Sequence, residues 1–196
     1  MSAFLAPIHF WMYDKILIAQ ELTFKLEEKF LNKEEREEVE SLFPGLYSKD
    51  LEEVIDQSNI HGWLHIAVSN VEIRFAYIVK TLLDKGISLE EIKKVAFEYG
   101  KTFPEQEVSS LKDAYELLMD ILLDGLPCDV SISVAREEEN ELEFVLYNDI
   151  HKQYFNEFDL EVSLYHEIRE AFVNGIFERY SLKYKNISES SKLITR

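Results

Sequence analysis

The chain has 196 residues, 46% hydrophobic and 13% aromatic, enough to bury the core of a single domain and far from the composition of a disordered segment. Its 38 acidic residues against 21 basic ones leave a formal charge of -17, which repels phosphate backbones and anionic head groups, so neither nucleic acid nor a membrane is an expected partner. Cys128 is the single cysteine: no disulfide can close within the chain, and a reducing cytoplasm is the expected location.

The apolar start, residues 1–13, has no basic residue before Lys15 and is closed by Asp14, so it reads as core rather than as a signal peptide or membrane span. Pro7 opens a helix whose apolar spacing runs from Ile8 to Leu31. Asn32 with Glu35 and Asp50 with Glu53 have the spacing of capping boxes for two short acidic helices, the first stopped by Pro44 and Gly45. The stretch from Ser58 to Asp84 holds no proline and is apolar at most positions, which predicts a long, largely buried helix ending at Gly86. Ser88 with Glu91 caps a further helix reaching Tyr99 and Gly100. Ser109 or Ser110 opens another that carries Tyr115, Leu118, Met119, Leu122 and Leu123 as far as Gly125 and Pro127.

At Cys128 the period changes from helical to alternating. Val130, Ile132 and Val134, then Leu142, Phe144 and Leu146 after a polar turn at 137–140, predict an antiparallel hairpin with one buried face. Asp159 then caps a helix through Tyr165, Ile168, Phe172 and Ile176, and 181–187 returns as a third strand. The expected fold is α+β: one domain over 1–187, helical over 1–127 and strand-strand-helix-strand over 128–187, with 188–196 as a flexible tail.

Two stretches, Gly86–Phe103 (GISLEEIKKVAFEYGKTF) and Glu141–His151 (ELEFVLYNDIH), resemble the haem-based nitric-oxide and oxygen sensor domains, which also place helices before a small mixed sheet. In that family a Tyr-x-Ser-x-Arg motif grips the haem propionates; here Tyr147 matches, while Asp149 and His151 stand at the Ser and Arg positions. The family's iron-ligating histidine belongs on the helix before the first strand, and 112–124 contains none. The resemblance implies a sensor fold.

Candidate chemistry centres on the five histidines. His9 lies in Ile-His-Phe-Trp and His61 in Ile-His-Gly-Trp, and these tetrapeptides hold both tryptophans. Pairing of the two segments would line an aromatic pocket with His9, Trp11, Tyr13, His61, Trp63 and His65. His61 and His65, four apart, also have the spacing at which two imidazoles on one helical face hold a transition metal. Glu72 shares their stripe, and a third ligand has to come from another helix: His9, Asp14 or Glu21 on the first, or His166 and Glu170, spaced four apart, on the last. Gly62 beside His61 leaves room for a close helix or a flat ligand. Three functions are consistent with these features. One is a ligand-binding or sensor domain for a small organic molecule, a metal or a haem-like cofactor. Another is a metal-dependent hydrolase or transferase. The third is an interaction module displaying the acidic run 34–40, and the many aromatics allow a homo-oligomer in any of them.

Overall fold

The structure, a computed structural model, describes residues 4–48, 50–125 and 132–196. Cys128, Val130 and Pro127 lie outside the described residues. Among the described residues, six α-helices come first: α1 (Pro7–Phe30), α2 (Lys33–Leu42), α3 (Leu51–Val54), α4 (Ile60–Asp84), α5 (Leu89–Lys101) and α6 (Leu111–Ile121). The strands β1 (Ile132–Glu137) and β2 (Glu141–Leu146) follow, then α7 (His151–Asn156), α8 (Ser163–Phe177), β3 (Lys183–Asn186) and β4 (Ser191–Thr195). The fold is α+β, helices before strands.

Local chemistry sets the helix starts. Asn32, Ser88 and Ser110 each accept the N3 backbone N–H while the N3 acid reaches back to the cap N–H, so two orphan donors are satisfied at each start. At Asp50 the reciprocal bond is missing because Glu53 instead accepts from Ser48 Oγ at 2.6 Å, and α3 is a single turn. Gly62 is explained by capping rather than by packing or a ligand: Asn59 Oδ1 accepts from Gly62 N at 3.2 Å, and a Cβ at Gly62 would meet the Asn59 amide at 2.2 Å. The tightest crossing joins α5 to α8, where a Cβ on Gly100 would lie 2.1 Å from Phe172 O and one on Gly175 2.1 Å from Phe97 O. Only glycine permits the two backbones to touch there.

The sheet is antiparallel in the order β1-β2-β4-β3. Leu142, Phe144 and Leu146 of β2 bury one face together with Tyr184 of β3 and Ile194 of β4. The C-terminal residues are therefore no flexible tail: 191–195 form the inner strand between β2 and β3. Lys192 hid it, because a lysine at an inward position breaks the alternation that Ile194 would otherwise announce. Two helices, not one, separate β2 from β3: α7, at six residues, is too short to show a helical period in the sequence. Asp159 is not the cap of α8 either; it sits at φ 55° in the turn between α7 and α8, a conformation that Asp tolerates better than most residues.

The apolar interior is divided. A main cluster joins α4, α5, α6 and α8 to the sheet, with Phe75, Leu118, Phe144 and Phe172 among its members. A second, containing Met12, Ile16, Leu51, Leu64 and Val68, packs the first halves of α1 and α4 around α3.

Candidate functional site

Between the two apolar clusters lies a set of buried charges. Glu72 of α4 (2% exposed), His151 at the start of α7 (0%), Arg169 of α8 (3%) and Asp124 just after α6 (7%) form one chain of contacts. His151 Nδ1 is 2.8 Å from Glu72 Oε2, and its Nε2 is 3.5 Å from Asp124 Oδ1, an ion-pair contact too long for a good hydrogen bond. Arg169 grips Asp124 through both terminal nitrogens, Nη1 to Oδ1 and Nη2 to Oδ2 at 3.0 Å, the two-pronged geometry that favours arginine over lysine. Tyr165, one turn before Arg169, stacks on the His151 ring at 3.7 Å and 17°.

The electrostatics follow from this geometry. Burial works against a charge on His151, but Glu72 and Asp124 outweigh it and raise its pKa to about 9. Burial likewise disfavours the Asp124 carboxylate, yet Arg169 and His151 hold it well below the usual range. Two cations then face two anions, so the cluster is neutral as a unit, and removing any one member strands a buried charge. A second layer surrounds it. Asp149 accepts from His151 N at 3.0 Å and pairs with His166 Nε2 at 2.7 Å. Lys15, its amine 3.7 Å above the Trp11 ring, has its pKa lowered to about 8 by burial despite Asp124 and Asp120. Lys192 is fully buried, donates to the carbonyls of Ser188 (3.3 Å) and Glu189 (2.9 Å), and is lowered to about 8 by burial and by Arg169.

A partly open cavity of about 50 Å³ adjoins the cluster. Ile18 and Leu22 of α1, Val71 and Phe75 of α4, and Ile168 and Phe172 of α8 give it apolar walls, and its polar lining comes from Glu72, Tyr165 and Arg169. Arg169 Nε and His151 Nε2 are buried with no hydrogen-bond partner among the described residues. Buried donors of that kind call for a water or a guest.

The two histidine-tryptophan segments do meet. His9 and His61 contact edge to face at 5.5 Å, and Tyr13 lies 5.9 Å from Trp63. Three of their polar groups, however, already have partners. His9 Nδ1 accepts from Ala6 N at 2.9 Å, Tyr13 donates to Ser48 O at 2.6 Å, and Trp11 Nε1 donates to Asp120 Oδ1 at 2.9 Å. None of His9, Trp11, Tyr13, His61, Trp63 and His65 lines this cavity. The proposed metal ligands are dispersed. His61 and His65 are exposed, Glu21 is exposed and pairs with Lys25 at 3.0 Å, His166 belongs to Asp149, and Glu72 to His151. Among the described residues no three His, Cys, Asp or Glu side chains are placed to hold a metal ion. The stripe of His61, His65 and Glu72 fails because α7 covers α4 only from about Ser69 onward, where Tyr154 reaches Ser69 Oγ at 2.9 Å. Asp14, like Glu21, faces solvent rather than the core.

Nor does this cavity fit a haem. No histidine lines the cavity, its volume is a third of the ~150 Å³ that accommodates benzene, and Tyr147 is 70% exposed. No protein-family model, curated protein or solved structure matches the chain. The site therefore has to be read from its own geometry.

Asp124, Tyr165 and Arg169 are not among the candidates that the sequence offers, and His151 enters there only at the Arg position of the propionate-gripping motif. Arg169 did leave a signal, since it stands four residues after Tyr165 and three before Phe172, on the stripe that α8 buries. Glu72 does not pair with Arg74, which instead holds Glu27 with two bonds (2.7 and 2.8 Å) and Glu40 with a third at 2.9 Å. Glu40 and Glu35, which pairs with Lys85, are thus engaged within the fold, which thins the acidic face on 34–40. Among the described residues no helix is long and apolar enough to cross a membrane.

Proposed function

We propose that this protein is a ligand-binding or sensor domain that receives a polar molecule of a few heavy atoms in the cavity between α1, α4 and α8. The observation that carries this reading is the meeting of a largely apolar, partly open hollow with a neutral, buried ionic cluster in which Arg169 Nε has no hydrogen-bond partner among the described residues. Apolar walls exclude water from the guest's hydrocarbon part, while Arg169 and Tyr165 offer donors and Glu72 an acceptor to its polar part. Because the cluster ties together α4, the end of α6, α7 and α8, a guest that rearranged its bonds would bias the packing of α7 and α8, which is how a sensor converts occupancy into shape.

The test is a panel of small carboxylates, amides and alcohols followed by thermal melting and by the NMR resonance of Arg169 Nε–H. A binder at about 100 times its Kd contributes ~2.7 kcal/mol, raising the melting temperature of a chain of this size by roughly 5–10 °C. Ala19→Leu, which fills the hollow from α1, is expected to abolish both responses. If no member of the panel moves that resonance, or if Ala19→Leu responds like the parent, the reading fails.

A further inference from the structure

We infer that the outward face of α4 is a self-association surface, and that a second copy of this chain covers it. A helix that is apolar all round belongs in an interior, yet one side of α4 is open to solvent. Trp63, Ile66, Asn70, Ile73 and Tyr77 lie along that side; Ile66 is 59% exposed, Asn70 is exposed and the other three are half-buried. Between Ile60 and Val79 the only Asp, Glu, Lys or Arg residues are Glu72 and Arg74, and both point inward at 2% and 3% exposure. The open side of α1 is the ordinary case by contrast, with Asp14, Glu21 and Glu28 exposed along it.

Three features choose a second copy over a foreign partner. The spacing 63, 66, 70, 73, 77 alternates steps of three and four, the seam by which one helix packs against another of the same spacing. Asn70 stands at the middle of the seam, and its amide carries both a donor and an acceptor. About a two-fold axis at that point the two Asn70 side chains satisfy each other, whereas an apolar foreign surface would leave them unsatisfied. Finally, two copies of a chain of charge -17 repel wherever their acids face each other, so an uncharged strip is where they can close. A basic partner would be drawn elsewhere. The rings at the rim are already held, Tyr77 against Phe43 (5.1 Å) and Phe158 (5.7 Å) and Trp63 against Tyr13 (5.9 Å), so little freedom is lost on contact. The strip from 63 to 77 is only ~21 Å long at 1.5 Å per residue, which makes the contact a small one. This inference does not depend on the cavity.

Sedimentation equilibrium of the full chain from low to high micromolar concentration tests it. The parent is expected to pass from monomer to dimer, and more readily at higher salt, since salt screens the repulsion and leaves an uncharged contact intact. Ile66→Glu and Asn70→Asp should each weaken dimerisation at least tenfold, and Glu28→Gln on the open side of α1 should not. In a Cys128→Ser background, Asn70→Cys should oxidise to a covalent dimer; this readout holds even if Ile66→Glu perturbs folding. A parent that stays monomeric throughout, a dimer that loosens with salt, or a failure of Asn70→Cys to cross-link would overturn the inference.

Discussion

The buried ionisable side chains make opposite demands on pH. His151, raised to about 9 from 6.5, contributes stability that is fully present below pH 6.5 and is lost as pH rises through 9. Lys192, lowered to about 8 from 10.5, has the reverse effect: its burial costs most below pH 8, and the cost fades between 8 and 10.5 as the amine sheds its proton in both states. Lys192→Met is therefore expected to stabilise the protein by about 1–3 kcal/mol at pH 7 and by almost nothing near pH 10.5. Urea denaturation of parent and variant at both pH values measures this; an equal difference at the two would contradict the assigned cause. Little of the cluster could be foreseen, because its members come from four segments and each is locally unremarkable. Asp124 closes an apolar run, His151 begins a six-residue helix, and a buried charge announces itself only through its partner.

Among the elements, the long helices were legible, while the six-residue α7 and the last strand were not. Capping pairs such as Ser88 with Glu91 are local chemistry, and a long proline-free apolar run such as α4 admits one reading. What α4 packs against is not local, and there the expectation failed: the histidine end of its stripe faces solvent, and only the Glu72 end is covered. The α5–α8 crossing shows the same limit, since the two glycines that permit it are 75 residues apart and neither looks unusual alone. Gly100→Ala should push the helices apart and destabilise the domain by roughly 1–3 kcal/mol or more, the range of an overpacked core. The same change at Gly86, where φ is +81° but a Cβ meets nothing within 4 Å, should cost only the backbone strain. Melting of the two variants side by side separates crowding from strain; equal losses would refute the crossing as described.

For the molecule as a whole, the residues after 187 are decisive. Truncation after Ile187 removes β4 and leaves β2 and β3 with no partner between them, so the shortened chain is expected to be insoluble or to lose cooperative melting. A truncated protein that melts like the parent would restore the view of 188–196 as a dispensable tail. The strand order also governs how the molecule can be made. During synthesis β1, β2 and β3 all leave the ribosome before the segment that zips them together, and β2 must wait for residues some fifty positions downstream. Until 191–195 arrive, the nascent chain carries raw strand edges that another nascent chain can pair with as readily as its own, so low expression levels, which keep such chains dilute, should favour recovery of soluble protein.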